Sequence, residues 1–276
     1  MENIEIFMNA FTHIIIFFMG TVFGSFFTLA VYRIPLKKDI THERSFCPNC
    51  NHKLGFWELI PVWSYIFLGG KCKSCGKKIR PRYLIIEVMS GFTFVLFALA
   101  TKVSVETLEP SLLIGFLFMV LYITAIFIIA GIDLERREIE KSVLYYALGI
   151  LVLYIIYLCI VDKTNICRYV MYLAITLILL IIDTIRLKKT AKSCYLMSLL
   201  ILLMFMAVFT GEIVTYLTII MTLLIIAFYV LAKKIKQSRN KVKRDDKEIA
   251  SNLNFGFCLG VSNIIITIFA LFIANY

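Results

Sequence analysis

Asp133 is the first residue whose type and position could do chemistry. It follows an almost purely apolar stretch, residues 112–130, without an intervening loop. A carboxylic acid at the edge of a hydrophobic helix stays ionisable beside membrane-embedded substrate, and an acid at such a depth is a functional candidate by default. The alternative is that Asp133 simply begins a polar loop.

Four cysteines form a second candidate site. They make two C-x-x-C pairs, Cys47 with Cys50 and Cys72 with Cys75, separated by 21 residues. Two pairs at this separation resemble a zinc ribbon, in which four thiolates bind one zinc ion tetrahedrally. Because four sulfur ligands leave no position open for water, the predicted zinc is structural. A loop of about 50 residues also has too small a core to fold without a structural metal ion of this kind.

The elements that must position these residues are membrane helices. The 276-residue chain is 61% hydrophobic, whereas globular chains are roughly 45–50% apolar. Each apolar run of about 20 residues predicts a membrane-spanning helix. The sequence therefore predicts an all-α polytopic membrane protein with about eight transmembrane helices and a zinc-ribbon-like loop between helices 1 and 2. The predicted spans are roughly 8–32, 83–101, 112–131, 143–161, 168–186, 194–210, 213–232 and 255–274.

The basic residues predict the orientation of these helices. Four loops, 33–82, 132–142, 186–193 and 233–248, hold 26 of the 29 Lys and Arg residues. The positive-inside rule makes these loops cytoplasmic, so the Cys-rich loop is predicted inside and both termini outside. A reducing cytoplasm disfavours disulfides between the four cysteines. The same rule explains the net charge of +11 without nucleic acid as a partner; the predicted partner is the lipid membrane.

Three segments follow from this topology: a first transmembrane helix at 1–32, a cytoplasmic Cys-rich loop at 33–82, and a seven-helix membrane domain at 83–276. Between the cysteine pairs lies an aromatic run, residues 54–70, that is too short to span a bilayer. It is interpreted either as a segment at the membrane interface, where Trp and Tyr are stable, or as part of a soluble core.

Several motifs occur in an order that resembles the type IV prepilin peptidases, polytopic aspartic proteases of the bacterial plasma membrane. The resemblance runs from about residue 20 to the last helix, and residues 43–91 are its most specific part. The motifs are Gly24-Ser-Phe, Arg33-x-Pro35, the two C-x-x-C pairs around Ile60-Pro-x-x-Ser64-Tyr, Arg82-Tyr-x-x-x-Glu87, Gly131-Ile-Asp133 and Phe255-Gly-x-x-Leu259.

The resemblance implies an endopeptidase that removes the leader peptide of type IV prepilins or pseudopilins on the cytoplasmic face of the inner membrane. Many members also methylate the new amino terminus with S-adenosylmethionine. Their chemistry uses two aspartates at cytoplasmic helix ends, and Asp133 matches the first. Two carboxyls suit this reaction because one activates water as a base while the other, kept protonated by mutual repulsion, polarises the scissile carbonyl.

The sequence departs from this family at the second aspartate. The family's Gly-x-Gly-Asp motif is absent, and Ser193 or a near neighbour stands where the acid is expected. Asp183 is the nearest acid on the predicted cytoplasmic side and is the candidate for the second catalytic carboxylate. It could instead pair locally with Arg186.

Other functions stay open at this point. A catalytically degenerate paralogue would bind prepilin helices without cutting them. Glu135 or Glu140 could replace the second acid, although both lie in the same loop as Asp133. A transporter that uses Glu87 and Asp183 as a relay, and a zinc-anchored scaffold of a pilus or secretion machinery, are candidates outside proteolysis.

Overall fold

The computed structural model of the chain describes residues 2–42, 44–103, 110–161, 165–190, 194–240 and 253–275. These residues are mainly helical, and the predicted all-α polytopic fold is confirmed. Two isolated β-bridges, Phe46 with Lys53 and Lys71 with Lys78, lie in the loop that follows the first helix. The helices are α1 (Glu2–Arg33), α2 (Trp63–Phe67), α3 (Arg82–Ala100), α4 (Pro110–Arg136), α5 (Lys141–Val161), α6 (Ile166–Thr190), α7 (Tyr195–Thr210), α8 (Glu212–Asn240) and α9 (Phe255–Asn275).

Seven of the described helices are long and apolar enough to cross a membrane: α1, α3, α4, α5, α6, α8 and α9. The remaining predicted span, residues 194–210, forms α7, which has only 16 residues. At about 1.5 Å per residue α7 is roughly 24 Å long, shorter than the ~30 Å hydrocarbon core of a bilayer. The predicted span is therefore a helix, but a short one.

The chain divides into two compact units, Met1–Val120 with Leu271–Tyr276, and Leu121–Ala270. The predicted division at residues 32 and 82 stays a prediction. In the first unit α1 packs along α3 with the two backbones nearly touching, since a Cβ placed on Gly24 would lie 2.7 Å from the Cα of Glu87. Small residues permit such close packing between membrane helices.

In the second unit α7 is the central helix. It packs against α5, α6 and α8, and its buried side chains include Leu202, Phe205 and Met206. The ring of Phe209 stacks on Tyr154 of α5 at 4.3 Å and on Tyr122 of α4 at 4.8 Å. Because its neighbours surround it, the start of α7 is a point where side chains from several helices can meet.

Candidate active site and metal centre

Asp133 lies near the end of α4 and is fully buried. Its Oδ1 accepts a hydrogen bond from the Tyr195 hydroxyl at 2.7 Å, and its Oδ2 accepts one from the Phe257 main-chain amide at 2.9 Å. Both carboxylate oxygens are thus bound by donors. Asp133 does more than begin a polar loop, because it connects α4 to two other helices.

The bond to Phe257 makes Asp133 a cap for α9. Phe257 is the third residue of that helix, and the first turn of a helix leaves its amides without intrahelical partners. The Asn254 side chain binds the carbonyl of Leu134 at 3.0 Å, while the Gly256 amide donates to the Tyr195 hydroxyl at 3.0 Å. A Cβ on Gly256 would lie 3.1 Å from the Cγ of Asp133. A glycine at position 256 therefore lets the carboxylate approach closely.

Asp183 is also fully buried and lies near the end of α6. Its Oδ2 forms an ion pair with the Lys141 ammonium at 2.6 Å, and its Oδ1 accepts a hydrogen bond from the Cys194 amide at 3.1 Å. Cys194 is the residue that precedes α7. A cation from another helix, α5, thus holds Asp183, in addition to any local pairing with Arg186.

The two acids meet consecutive residues at the start of α7, Cys194 and Tyr195. The path from one carboxyl to the other through these two residues sets an upper limit of roughly 17 Å on their separation. In the part of the chain that the structure describes, however, the carboxyls share no hydrogen bond, since each is bound by its own partners. The structure brings the acids to one region but does not join them as a pair.

The other residues considered as partners lie in different places. Glu135 is exposed, and Glu140 is half-buried at the start of α5, where its carbonyl accepts the amide of Val143. Ser193, the residue expected at the position of the family's second aspartate, lies outside the described residues.

The four predicted metal ligands form a compact cluster. All four sulfur atoms lie within 4.8 Å of one another, and the pairs Cys47–Cys75 and Cys50–Cys72 are each separated by 4.0 Å. A tetrahedral zinc site with Zn–S bonds of about 2.3 Å requires sulfur atoms about 3.8 Å apart. The geometry fits a four-thiolate metal site.

The two halves of this cluster are built alike. The Cys47 amide binds the carbonyl of His52, and the Cys72 amide binds the carbonyl of Lys77, both at 2.9 Å. Each half is a tight turn closed by one isolated β-bridge. The amide of Asn49 lowers the pKa of the Cys47 thiol to about 7, so a thiolate is available as a metal ligand near neutral pH.

Comparison with known proteins finds one matching family for the first part of the chain. Residues 18–101 match the family described as the bacterial peptidase A24 N-terminal domain. This range contains the second half of α1, the Cys-rich loop and α3, and it ends before Asp133 and Asp183. The predicted resemblance to type IV prepilin peptidases is confirmed, and residues 18–101 are the part of the chain that is similar to the N-terminal domain of this family.

Curated relatives carry the name prepilin leader peptidase/N-methyltransferase. The Bacillus subtilis protein is 35% identical over 137 residues, which are 50% of this chain and 52% of the relative. The Klebsiella pneumoniae protein is 32% identical over 40% of this chain and 51% of its own length, and the Vibrio cholerae protein is 30% identical over 41% and 56%. The chain thus spans about half the length of these relatives. No solved structure matches it.

Sequence reasoning missed the residues that hold the two acids. Tyr195 and Phe257 lie 62 and 124 residues after Asp133, and Lys141 lies 42 residues before Asp183. One signal was available for the first acid, since Phe255-Gly-x-x-Leu259 is among the motifs of the family resemblance. This motif contains Phe257, whose amide binds Asp133, but the motif alone does not indicate that contact.

Proposed function

We propose that the protein is a prepilin leader peptidase of the bacterial plasma membrane, with Asp133 and Asp183 as its two catalytic carboxyls. It would cut the leader from type IV prepilins or pseudopilins on the cytoplasmic face. The observation that carries this proposal is that two fully buried acids from different helices meet the start of α7, in a chain similar to proteins named for this activity.

The reaction needs a separate role for each acid. One carboxylate must remove a proton from the attacking water, and the other carboxyl must be protonated to polarise the scissile carbonyl. The Lys141 ammonium lies 2.6 Å from one oxygen of Asp183. Cleavage through this oxygen therefore requires that Lys141 move away from Asp183 when substrate binds.

The cysteine cluster would hold one zinc ion through Cys47, Cys50, Cys72 and Cys75. Zinc in such a site crosslinks the two turns of the loop and supplies folding energy. Methyl transfer from S-adenosylmethionine to the new amino terminus is a further proposal, supported by the second half of the relatives' name.

Leader removal from a coexpressed prepilin tests the proposal. The host must lack its own prepilin peptidase, and mass spectrometry of the prepilin reports cleavage. Wild type is expected to cut, and Asp133→Ala and Asp183→Ala to cut about a hundredfold more slowly or worse, the usual contribution of a general acid or base. Glu135→Gln is the matched control, since Glu135 is an exposed acid at the same helix end. Undiminished cleavage by Asp183→Ala would exclude this residue as the second acid.

The Lys141–Asp183 ion pair favours a second candidate function. The Lys141 ammonium occupies one oxygen of Asp183 at 2.6 Å, and the Gly-x-Gly-Asp motif is absent. In this case the protein is a degenerate paralogue that binds prepilins during assembly without cutting them. Uncleaved prepilin would then copurify equally well with wild type and Asp133→Asn. Cleavage by wild type would exclude this function.

A further inference from the structure

Large apolar side chains are exposed on the loop between α1 and α3. Phe56, Trp57 and Phe67 are 73%, 79% and 79% exposed. Trp63 and Ile66 are also exposed. The rings form local pairs, Phe56 with Trp57 and Trp63 with Phe67, but they do not enter a core. The exposed rings favour the interpretation of this aromatic run as a segment at the membrane interface over the soluble-core interpretation. Exposed apolar clusters of this kind mark sites of interaction with a membrane or a protein.

A buried carboxyl fixes the position of this segment beside the membrane helices. The amide of Val62 donates to the Oε2 of Glu87 at 2.8 Å, and Glu87 is a buried residue of α3. Glu87 lies five residues after Arg82, so it is about 7.5 Å into the helix. The aromatic segment is thereby held at the level where α3 enters the membrane.

The backbone of Val62 shows that this attachment is specific. Val62 has a φ of +64°, a conformation that is unfavourable for a β-branched residue. Such a conformation persists where surrounding interactions determine it. Here the bond to Glu87 directs the chain between the short turn at Phe56–Glu58 and α2.

The charge around the segment indicates which partner it meets. Residues 33–82 contain eleven Lys and Arg residues and three acids. Exposed cations flank the aromatic segment on both sides, among them Lys53, Lys71, Lys73, Lys77 and Lys78. Basic residues close to a membrane helix are attracted to anionic headgroups, while Trp is stable at the boundary between headgroups and acyl chains.

We propose that residues 56–67 form a membrane anchor, which lies in the headgroup–acyl boundary of an anionic bilayer and is held at that depth by the Glu87–Val62 hydrogen bond. The anchor fastens the middle of the Cys-rich loop to the membrane, so that the cysteine cluster is restrained between α1, the anchor and α3. The anchor shares no residue with the acid site, and the proposal does not depend on peptidase activity.

The two tryptophans of the chain, Trp57 and Trp63, both lie in the anchor, so intrinsic fluorescence reports on it directly. The full chain is reconstituted into phosphatidylcholine vesicles with and without phosphatidylglycerol. We expect blue-shifted emission, strong quenching by lipids brominated near the headgroup, and quenching by aqueous acrylamide roughly threefold weaker than for free tryptophan. Omitting phosphatidylglycerol should weaken the lipid quenching. Trp57→Phe and Trp63→Phe assign the depth of each ring.

Two substitutions at Glu87 test the attachment. Glu87→Leu removes the acceptor for the Val62 amide and should at least double the acrylamide quenching, whereas Glu87→Gln keeps an acceptor oxygen and should resemble wild type. Wild-type tryptophans that acrylamide quenches as strongly as free tryptophan, without lipid quenching, would overturn the proposal. Protection that appears only after prepilin is added would overturn it as well, and would assign this surface to substrate. Both results are independent of whether leader cleavage occurs.

Discussion

Replacing Asp133 by asparagine should destabilise the protein even when no substrate is present. The asparagine amide group has one oxygen, whereas the native carboxylate accepts hydrogen bonds on both oxygens, from Tyr195 and from Phe257. One of these buried donors must then lose its acceptor or face an NH2 group. A buried donor left without an acceptor costs about 1–3 kcal/mol, and loss of a helix cap costs about 0.5–2 kcal/mol.

These contributions overlap, because the Phe257 amide is both the donor that can lose its acceptor and the amide that Asp133 caps. We therefore expect Asp133→Asn to lower the free energy of unfolding by about 2–3 kcal/mol. Tyr195→Phe is the matched control for the Phe257 bond. It removes the hydroxyl that donates to Asp133 and accepts the Gly256 amide, but it leaves the carboxylate and the Phe257 bond in place. Its cost should be about 1–2 kcal/mol.

Chemical unfolding of the purified protein in micelles measures the difference, and hydrogen exchange of the Phe257 amide locates it. In Asp133→Asn this amide should lose protection before the amides in the middle of α9. Unchanged exchange at Phe257, together with unfolding within about 0.5 kcal/mol of wild type, would refute the capping role. If the role is correct, loss of cleavage in Asp133→Asn proves catalysis only when the variant is shown to be folded.

Three further predictions concern the other charged and sulfur groups. Cys50→Ser should abolish stoichiometric zinc in the purified chain while Cys159→Ser, which changes a cysteine outside the cluster, retains it; elemental analysis measures both. Lys141→Met should lower the free energy of unfolding by about 3 kcal/mol, because it leaves the buried Asp183 carboxylate without its cation. Adding Asp183→Asn should recover part of this loss. Equal stability of the single and double variants would contradict the prediction. Two hydrogen-bond donors, first a main-chain amide and then a neighbouring imidazole, hold the pKa of the Glu58 carboxyl below the ordinary range. The ionised carboxylate therefore stabilises the loop above the ordinary pKa. This contribution is lost as the pH falls through the folded pKa. Amide exchange in the loop should therefore rise on acidification in wild type, and this dependence should be weaker in Glu58→Gln.

The sequence was sufficient for features that are local in the chain. Two C-x-x-C pairs predicted the cluster because each pair forms its own turn, so that only the meeting of the two turns had to be inferred. Apolar runs predicted the helices because a membrane leaves the backbone few other conformations. For α7 the same rule predicted a full span at 194–210. The structure has a helix at Tyr195–Thr210, whose 16 residues are shorter than the hydrocarbon core of a bilayer.

The partners of the acids could not be predicted in this way. Which side chains face Asp133 depends on the rotation and relative height of α4, α7 and α9, and apolar spans that are hydrophobic on all sides carry little information about either. The Lys141–Asp183 pair shows the same limit. Sequence spacing offered Arg186 as a local partner for Asp183, whereas packing supplied a lysine from α5.

The cap that Asp133 provides for α9 has an evolutionary consequence. A chain that ceased to process pilins would still need this carboxylate to keep α9 in place, so drift would not readily remove it. Persistence of the aspartate among descendants of such a protein records selection for assembly of the helix bundle. Whether their ancestors cut pilins must be judged from residues that do not stabilise the helix bundle.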